Sequence, residues 1–95
     1  MISKQQAAFR LLELSNTFLI LYESRDIALA ARQLSVSITE VEARIQELEK
    51  KMGIQLFANQ NDYGSLTPDG KRYYDRVAYS VESVKQLKKS QSEND

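Results

Sequence analysis

From Ser3 to about Tyr22, apolar and small residues recur at helical spacing. Ala8, Leu11, Leu12, Ser15, Phe18, Leu19 and Tyr22 fall on one stripe, which predicts a long first helix within residues 1–23. Ser24-Arg25-Asp26 interrupts it. Asp26 is a good N-cap for a short second helix, Ile27 to Leu34. Ser35-Val36-Ser37 reads as a tight turn. Ser37 then opens a third helix, with Glu40 three residues on as the capping-box partner. Val41, Ile45, Leu48 and Met52 follow at spacings of 4, 3 and 4, so they form its core face. Gly53 ends that helix as a C-cap.

The period changes over residues 54–67. Ile54, Leu56 and Phe57 are apolar, Ala58 to Ser65 is polar, and Leu66-Thr67 closes the segment. This predicts two short strands about a turn at Asn61-Asp62-Tyr63-Gly64. Thr67 or Asp69 caps a last long helix with Pro68 in its first turn. Its apolar line is Tyr74, Val77, Val81 and Val84, flanked by Tyr73 and Leu87. The expected architecture is mainly α with a small β-hairpin, in a single domain over 1–95. A first helix with an N-terminal extension (1–23) precedes a helix-turn-helix (26–52), a wing (54–67), a long helix (68–89) and a polar tail (90–95). Two helices joined by a short turn and followed by a hairpin make a winged helix-turn-helix.

Composition removes most chemistries. The 95 residues contain no cysteine and no histidine, which excludes a disulfide scaffold, a Cys/His metal site and a histidine-based triad. No nucleophile–base pair or glycine-rich phosphate loop is visible, so no catalytic residue, metal or cofactor is expected, and no enzyme. The longest apolar run, Phe18 to Tyr22, has five residues, whereas a membrane span needs about 20. The N-terminus lacks the apolar core of a signal peptide. These features predict a cytoplasmic protein with no membrane partner. Thirteen basic and 13 acidic residues cancel. That balance opposes nucleic-acid binding, although a local patch matters more than the sum. The most acidic stretch is 37–65, with three bases and five acids.

The segment Asp26-Ile27-Ala28-Leu29-Ala30-Ala31-Arg32-Gln33-Leu34-Ser35-Val36-Ser37 resembles the N-terminal DNA-binding domain of LysR-type transcriptional regulators. The resemblance continues at Ile45, Leu48-Glu49, Gly53, Leu56-Phe57, Leu66-Thr67 and Gly70, and covers about residues 15–88. Packing accounts for these positions independently: Ala30 and Ala31 are small where two helices cross closely. The resemblance implies a homodimeric regulator of double-stranded DNA, with its recognition helix in the major groove and its wing along the backbone. The residues it implies for the reading face are Ser37, Ile38, Thr39, Glu42, Ala43 and Gln46. The sequence departs from the family pattern there. Glu42 stands where a Ser or Thr is usual, Ala43 where an Arg is frequent, and Asn59 where an Arg follows Leu-Phe. The wing from Asn59 to Ser65 has no Lys or Arg.

Phosphate contacts then fall to Arg32, Lys71 and Arg72, because Arg44 is spaced to pair with Glu40 and Glu47. Tyr63, expected at the wing tip, could stack on a sugar, and Glu40 or Glu42 could accept from cytosine N4. The resemblance also implies that the last helix pairs with its copy, through Tyr74, Val77, Val81 and Val84, and Leu11 and Leu12 of the extended first helix could pack against the partner. Full-length family members carry an effector-binding domain after that helix. The polar end, Ser90 to Asp95, favours a natural terminus, and so no small-molecule effector on this chain. A second reading stands beside the first: a winged-helix interaction module, with weakened DNA binding, whose partner is another regulator protein.

Overall fold

After the first helix, each helix described starts where a short polar side chain can take up free backbone N–H groups. In the computed structural model, which describes residues 4–59 and 61–79, α1 (Lys4–Ser24) ends at Arg25, which adopts left-handed φ of 58°. The Asp26 carboxylate then accepts from the N–H groups of Ala28 (2.9 Å) and Leu29 (3.1 Å) to start α2 (Ile27–Leu34). A second left-handed residue, Ser35, turns the chain, and the Ser37 hydroxyl accepts from Glu40 N–H at 3.0 Å to start α3 (Ile38–Met52). Gly53, at φ 67°, closes α3 with its N–H on the Glu49 carbonyl.

Phe18 lies at the centre of the core. Its ring meets Phe57 edge-on at 5.6 Å, Tyr73 at 5.7 Å and Tyr74 at 6.4 Å. Leu14 and Leu21 of α1 join Ala30 and Ala31 of α2, Val41, Ile45 and Leu48 of α3, and Leu56 in one cluster. Two expectations need correction. The buried stripe of α1 is Leu14, Ser15, Thr17, Phe18, Leu19 and Leu21, whereas Ala8, Leu11 and Leu12 are exposed. The core touches only the second half of that helix, so apolar spacing alone overextended the face. Met52 also leaves the core, 37% exposed, because it sits in the last turn before Gly53, beyond the core residues of its own line.

The wing is an antiparallel pair, β1 (Phe57–Asn59) and β2 (Asp62–Leu66), with Phe57 opposite Leu66 and Asn59 opposite Asp62. Its turn therefore falls between Asn59 and Asp62, earlier than the predicted Asn61–Gly64. The register shift between these pairs absorbs the extra length of β2 as a bulge. Asp62 stabilises this strand start by accepting from the Ser65 hydroxyl (2.7 Å) and from Gly64 N–H (3.0 Å), which, in that order, hold its carboxyl below its ordinary pKa.

Thr67 links the wing to the last helix, α4, which is described over 68–79. Its N–H donates to Leu56 O at 2.9 Å, its hydroxyl donates to Gln55 O, and its hydroxyl oxygen Oγ1 accepts from Gly70 N–H at 2.9 Å. Thr67, rather than Asp69, is thus the cap. A Cβ on Gly70 would lie 2.2 Å from Leu56 O, so the backbones touch there and only glycine fits. Tyr73 completes the closure with a 2.6 Å hydrogen bond to the Ser15 hydroxyl. Among the described residues no helix is long and apolar enough to cross a membrane.

Candidate nucleic-acid interface

The side chains of α3 divide into three stripes. Val41, Ile45 and Leu48 are the core stripe. Thr39, Glu42, Ala43 and Gln46, at i, i+3, i+4 and i+7, form an exposed stripe, and Ser37 and Ile38 at its start are exposed too. Every residue expected on the reading face therefore reaches solvent on one side of one helix. The third stripe, Glu40, Arg44 and Glu47, faces α1.

That third stripe is a charge network. Arg44 donates to Glu40 at 3.1 Å and to the Thr17 hydroxyl at 3.2 Å, and lies 3.7 Å from Glu13. Arg10 donates to both oxygens of Glu47, at 3.0 and 2.7 Å, and also pairs with Glu13. The expected Arg44–Glu47 pair is replaced by Arg10–Glu47, because α1 brings a guanidinium from 37 residues away into bidentate geometry. Hydrogen bonding to Arg10 holds the Glu47 carboxyl below its usual pKa, and the same bond raises that of Arg10. Glu49 is spent differently: its carboxylate accepts from Leu56 N–H at 2.8 Å and so ties α3 to the start of the wing. Of the four glutamates of α3, three are engaged, and Glu42 has no hydrogen-bond or ion-pair partner among the described residues.

The cations differ in availability. Arg32 is exposed in the last turn of α2. Lys71 is exposed with no acidic partner among the described residues. Arg72 is exposed but paired with Asp69 in its own helix, which offsets its charge. Arg25 was not a candidate from sequence. Its side chain lies against β2, where a Cβ on Gly64 would be 3.3 Å from Arg25 Cδ, and it acts electrostatically on Asp62. It gives the wing the positive charge that residues 59–65 lack. The Arg25 backbone turn marks a break in sequence, but no local signal carries its side chain to a strand nearly forty residues on.

Tyr63 is not at the wing tip. The turn shift puts it inside β2, half-buried, with its ring at 90° to Phe57 and 5.3 Å away. Burial, and then the Glu42 carboxylate, raise its hydroxyl pKa. Between α3 and the wing lies a cleft of about 300 Å³ with Leu21, Ile45, Phe57, Glu42, Gln46 and Tyr63 among its lining residues.

The residues expected at a dimer contact separate. Leu11 and Leu12 are 42% and 66% exposed, and Phe9 beside them is 70% exposed. Tyr74 and Val77 pack on the protomer's own core, Tyr74 edge-on to Tyr22 at 4.8 Å. Val81 and Val84 lie outside the described residues. No group of three or more Asp or Glu among the described residues is placed to hold a metal ion.

The chain matches the family described as "Bacterial regulatory helix-turn-helix protein, lysR family" over residues 12–71. It is 38% identical over 71 residues to the HTH-type transcriptional regulator DsdC of Escherichia coli (strain K12), covering 75% of this chain and 23% of that protein. It is 29% identical over 72 residues to the uncharacterized HTH-type transcriptional regulator MJ0300 of Methanocaldococcus jannaschii, covering 76% of this chain and 24% of that one. It thus spans about a quarter of the length of the curated relatives it matches. Among solved structures, the BenM DBD/catB site 1 DNA complex superposes with a TM-score of 0.73 at 25% identity, over 85% of this chain and 87% of that one. Full-length BenM superposes with a TM-score of 0.71 at 26% identity, over 86% of this chain and 27% of that one. With the family match spanning the helix-turn-helix, the wing and the start of α4, the chain belongs to the LysR family of bacterial regulatory helix-turn-helix proteins.

Proposed function

We propose that this protein is a transcriptional regulator, not an enzyme, that binds double-stranded DNA as a homodimer, α3 entering the major groove and the wing following the backbone. The observation that carries the reading is the exposed stripe Thr39, Glu42, Ala43 and Gln46, held out by a capped helix whose opposite face is anchored in the core. Arg25, Arg32 and Lys71 supply the phosphate contacts, with a smaller share from Arg72 because Asp69 pairs with it. Structural relatives solved as DNA complexes support the same reading. The protein works in the cytoplasm. The homodimer draws on exposed Phe9, Leu11 and Leu12 of α1 and on Val81 and Val84, with Tyr74 and Val77 contributing the part of each side chain that their own core leaves uncovered.

Fluorescence anisotropy with a labelled duplex at two salt concentrations tests it. Three phosphate contacts per protomer in a dimer give a slope of log K against log salt of roughly −5. Affinity then falls on the order of a thousandfold between 50 and 200 mM salt. No binding to any duplex at low salt, by folded protein, would favour the interaction module instead. What speaks for that second reading is a wing without Lys or Arg from Asn59 to Ser65 and an uncompensated Glu42 on the exposed stripe. Its partner would be a regulator with a basic surface.

A further inference from the structure

We propose that Glu42 is a specificity-determining residue that selects cytosine in each half-site. The inference rests on the DNA-binding reading above and goes beyond it to the base that is read.

The acidity of α3 looks at first like an obstacle to any DNA complex. Half of it is paired with arginine inside the protein, and a third carboxylate is fixed by the backbone. Glu40 is taken by Arg44, Glu47 by Arg10, and Glu49 by the Leu56 N–H. Glu40 and Glu47 are thus paired with guanidinium groups, while Glu49 keeps its charge but is held at the wing root. Among the described residues Glu42 alone of these glutamates is left without a partner, on the stripe it shares with Thr39, Ala43 and Gln46. Of the groups around it, Gln46 and the Tyr63 hydroxyl carry no charge to offset it. The cations Arg10 and Arg44, which could have neutralised it, are committed to the opposite stripe.

An ionised carboxylate can only accept hydrogen bonds. In the major groove, guanine offers O6 and N7 acceptors and thymine an O4 acceptor and a methyl group, so all of these repel or ignore Glu42. Adenine offers an N6 donor, but its N7 acceptor lies beside it. Cytosine offers the N4 amino donor with no acceptor of its own on that edge. Glu42 therefore fits cytosine. Ala43 next to it keeps the helix surface low, which lets a side chain as short as Glu reach a base edge. The same charge repels phosphate when no cytosine is in place, so Glu42 discriminates by penalty as well as by contact. That penalty is felt within a Debye length, about 10 Å at 0.1 M salt.

The experiment begins with selection of duplexes from a random library by the wild-type protein. Anisotropy then gives affinities for the selected duplex and its single-base-pair variants, for wild type, Glu42→Ala and Glu42→Gln. Glu42 is exposed, so thermal melts of the variants should match wild type. The expected result is one C·G pair per half-site that wild type prefers about fivefold or more over the alternatives. Glu42→Ala should flatten the preference at that pair alone and bind scrambled duplex more tightly than wild type does. Glu42→Gln should move it towards adenine, whose N6 and N7 match a carboxamide. If both variants keep the wild-type ranking at every position, Glu42 does not read a base and the inference is wrong. If wild type selects and binds no duplex, the DNA-binding reading itself fails and this inference with it. That failure is seen before any variant is made.

Discussion

The two halves of α1 are one continuous helix with opposite fates. From Leu14 to Tyr22 it builds the core: Leu14, Phe18 and Leu21 are fully buried, and Ser15 is hydrogen-bonded to Tyr73. From Ala7 to Glu13 it stands clear, with Phe9 and Leu12 exposed and Arg10 as its ionic tether to α3. Both halves carry apolar residues at helical spacing. Spacing says that a face will be covered, and it does not say by what. The second half is covered by its own protomer. In the homodimer proposed above, the first half is covered by the other.

The largest test separates these roles directly. Phe18→Ala should destabilise folding by about 3–5 kcal/mol, read as a lowered urea midpoint, because it empties the centre of the aromatic cluster. Phe9→Ala should change urea stability of the monomer by no more than about 0.5 kcal/mol. In sedimentation it should instead raise the monomer fraction. Equal effects at both positions would mean that the exposed half packs within the protomer after all.

A smaller effect probes the boundary between the halves. Tyr73→Phe keeps the ring and removes the hydroxyl that meets Ser15 at 2.6 Å. The expected cost is about 1 kcal/mol, since a buried polar group loses one partner. Ser15→Ala added to Tyr73→Phe should cost little more, and a double-mutant cycle gives that coupling.

The smallest effect belongs to the tether. Arg10 holds the folded-state pKa of Glu47 below its ordinary value of 4.5. The pair's contribution is therefore fully present above about pH 4.5 and is lost as pH falls through the lower folded value. Both side chains are about a third exposed, so the contribution is under about 1 kcal/mol and shrinks with salt. Glu47→Gln should remove that part of the acid destabilisation and leave stability at neutral pH within the same margin. A Glu47→Gln protein with an unchanged acid limb would show that the tether is not held in solution.

Much of this was legible in the chain. Asp26, Ser37 and Gly53 mark helix ends through local hydrogen bonding, and each does in the structure what its residue type predicts. The core stripe of α3 followed from its spacing. What was not legible depends on residues far apart in sequence. Arg10 takes Glu47 across 37 positions, and Arg25 reaches the wing from the other side of the helix-turn-helix. The wing turn was misplaced because Gly64 is a strong turn signal. Its small size instead serves the approach of Arg25, and Asp62 holds the bulge. Of the exposed stripe, position could be read from the helical period. That Glu42 is the one α3 carboxylate left without a partner among the described residues could not, since the other glutamates find their partners only in the fold.

Gly70 has a mechanical consequence. With no room even for a methyl group between α4 and the Leu56 carbonyl, and with Thr67 bonded to both sides of that contact, the helix and the root of the wing cannot slide past each other. A torque applied along α4 is transmitted to Phe57 and the strand that follows. Since Glu49 fastens the same wing root to α3, a twist of α4 would load the Glu49–Leu56 bond before it could change the angle between β1 and α3.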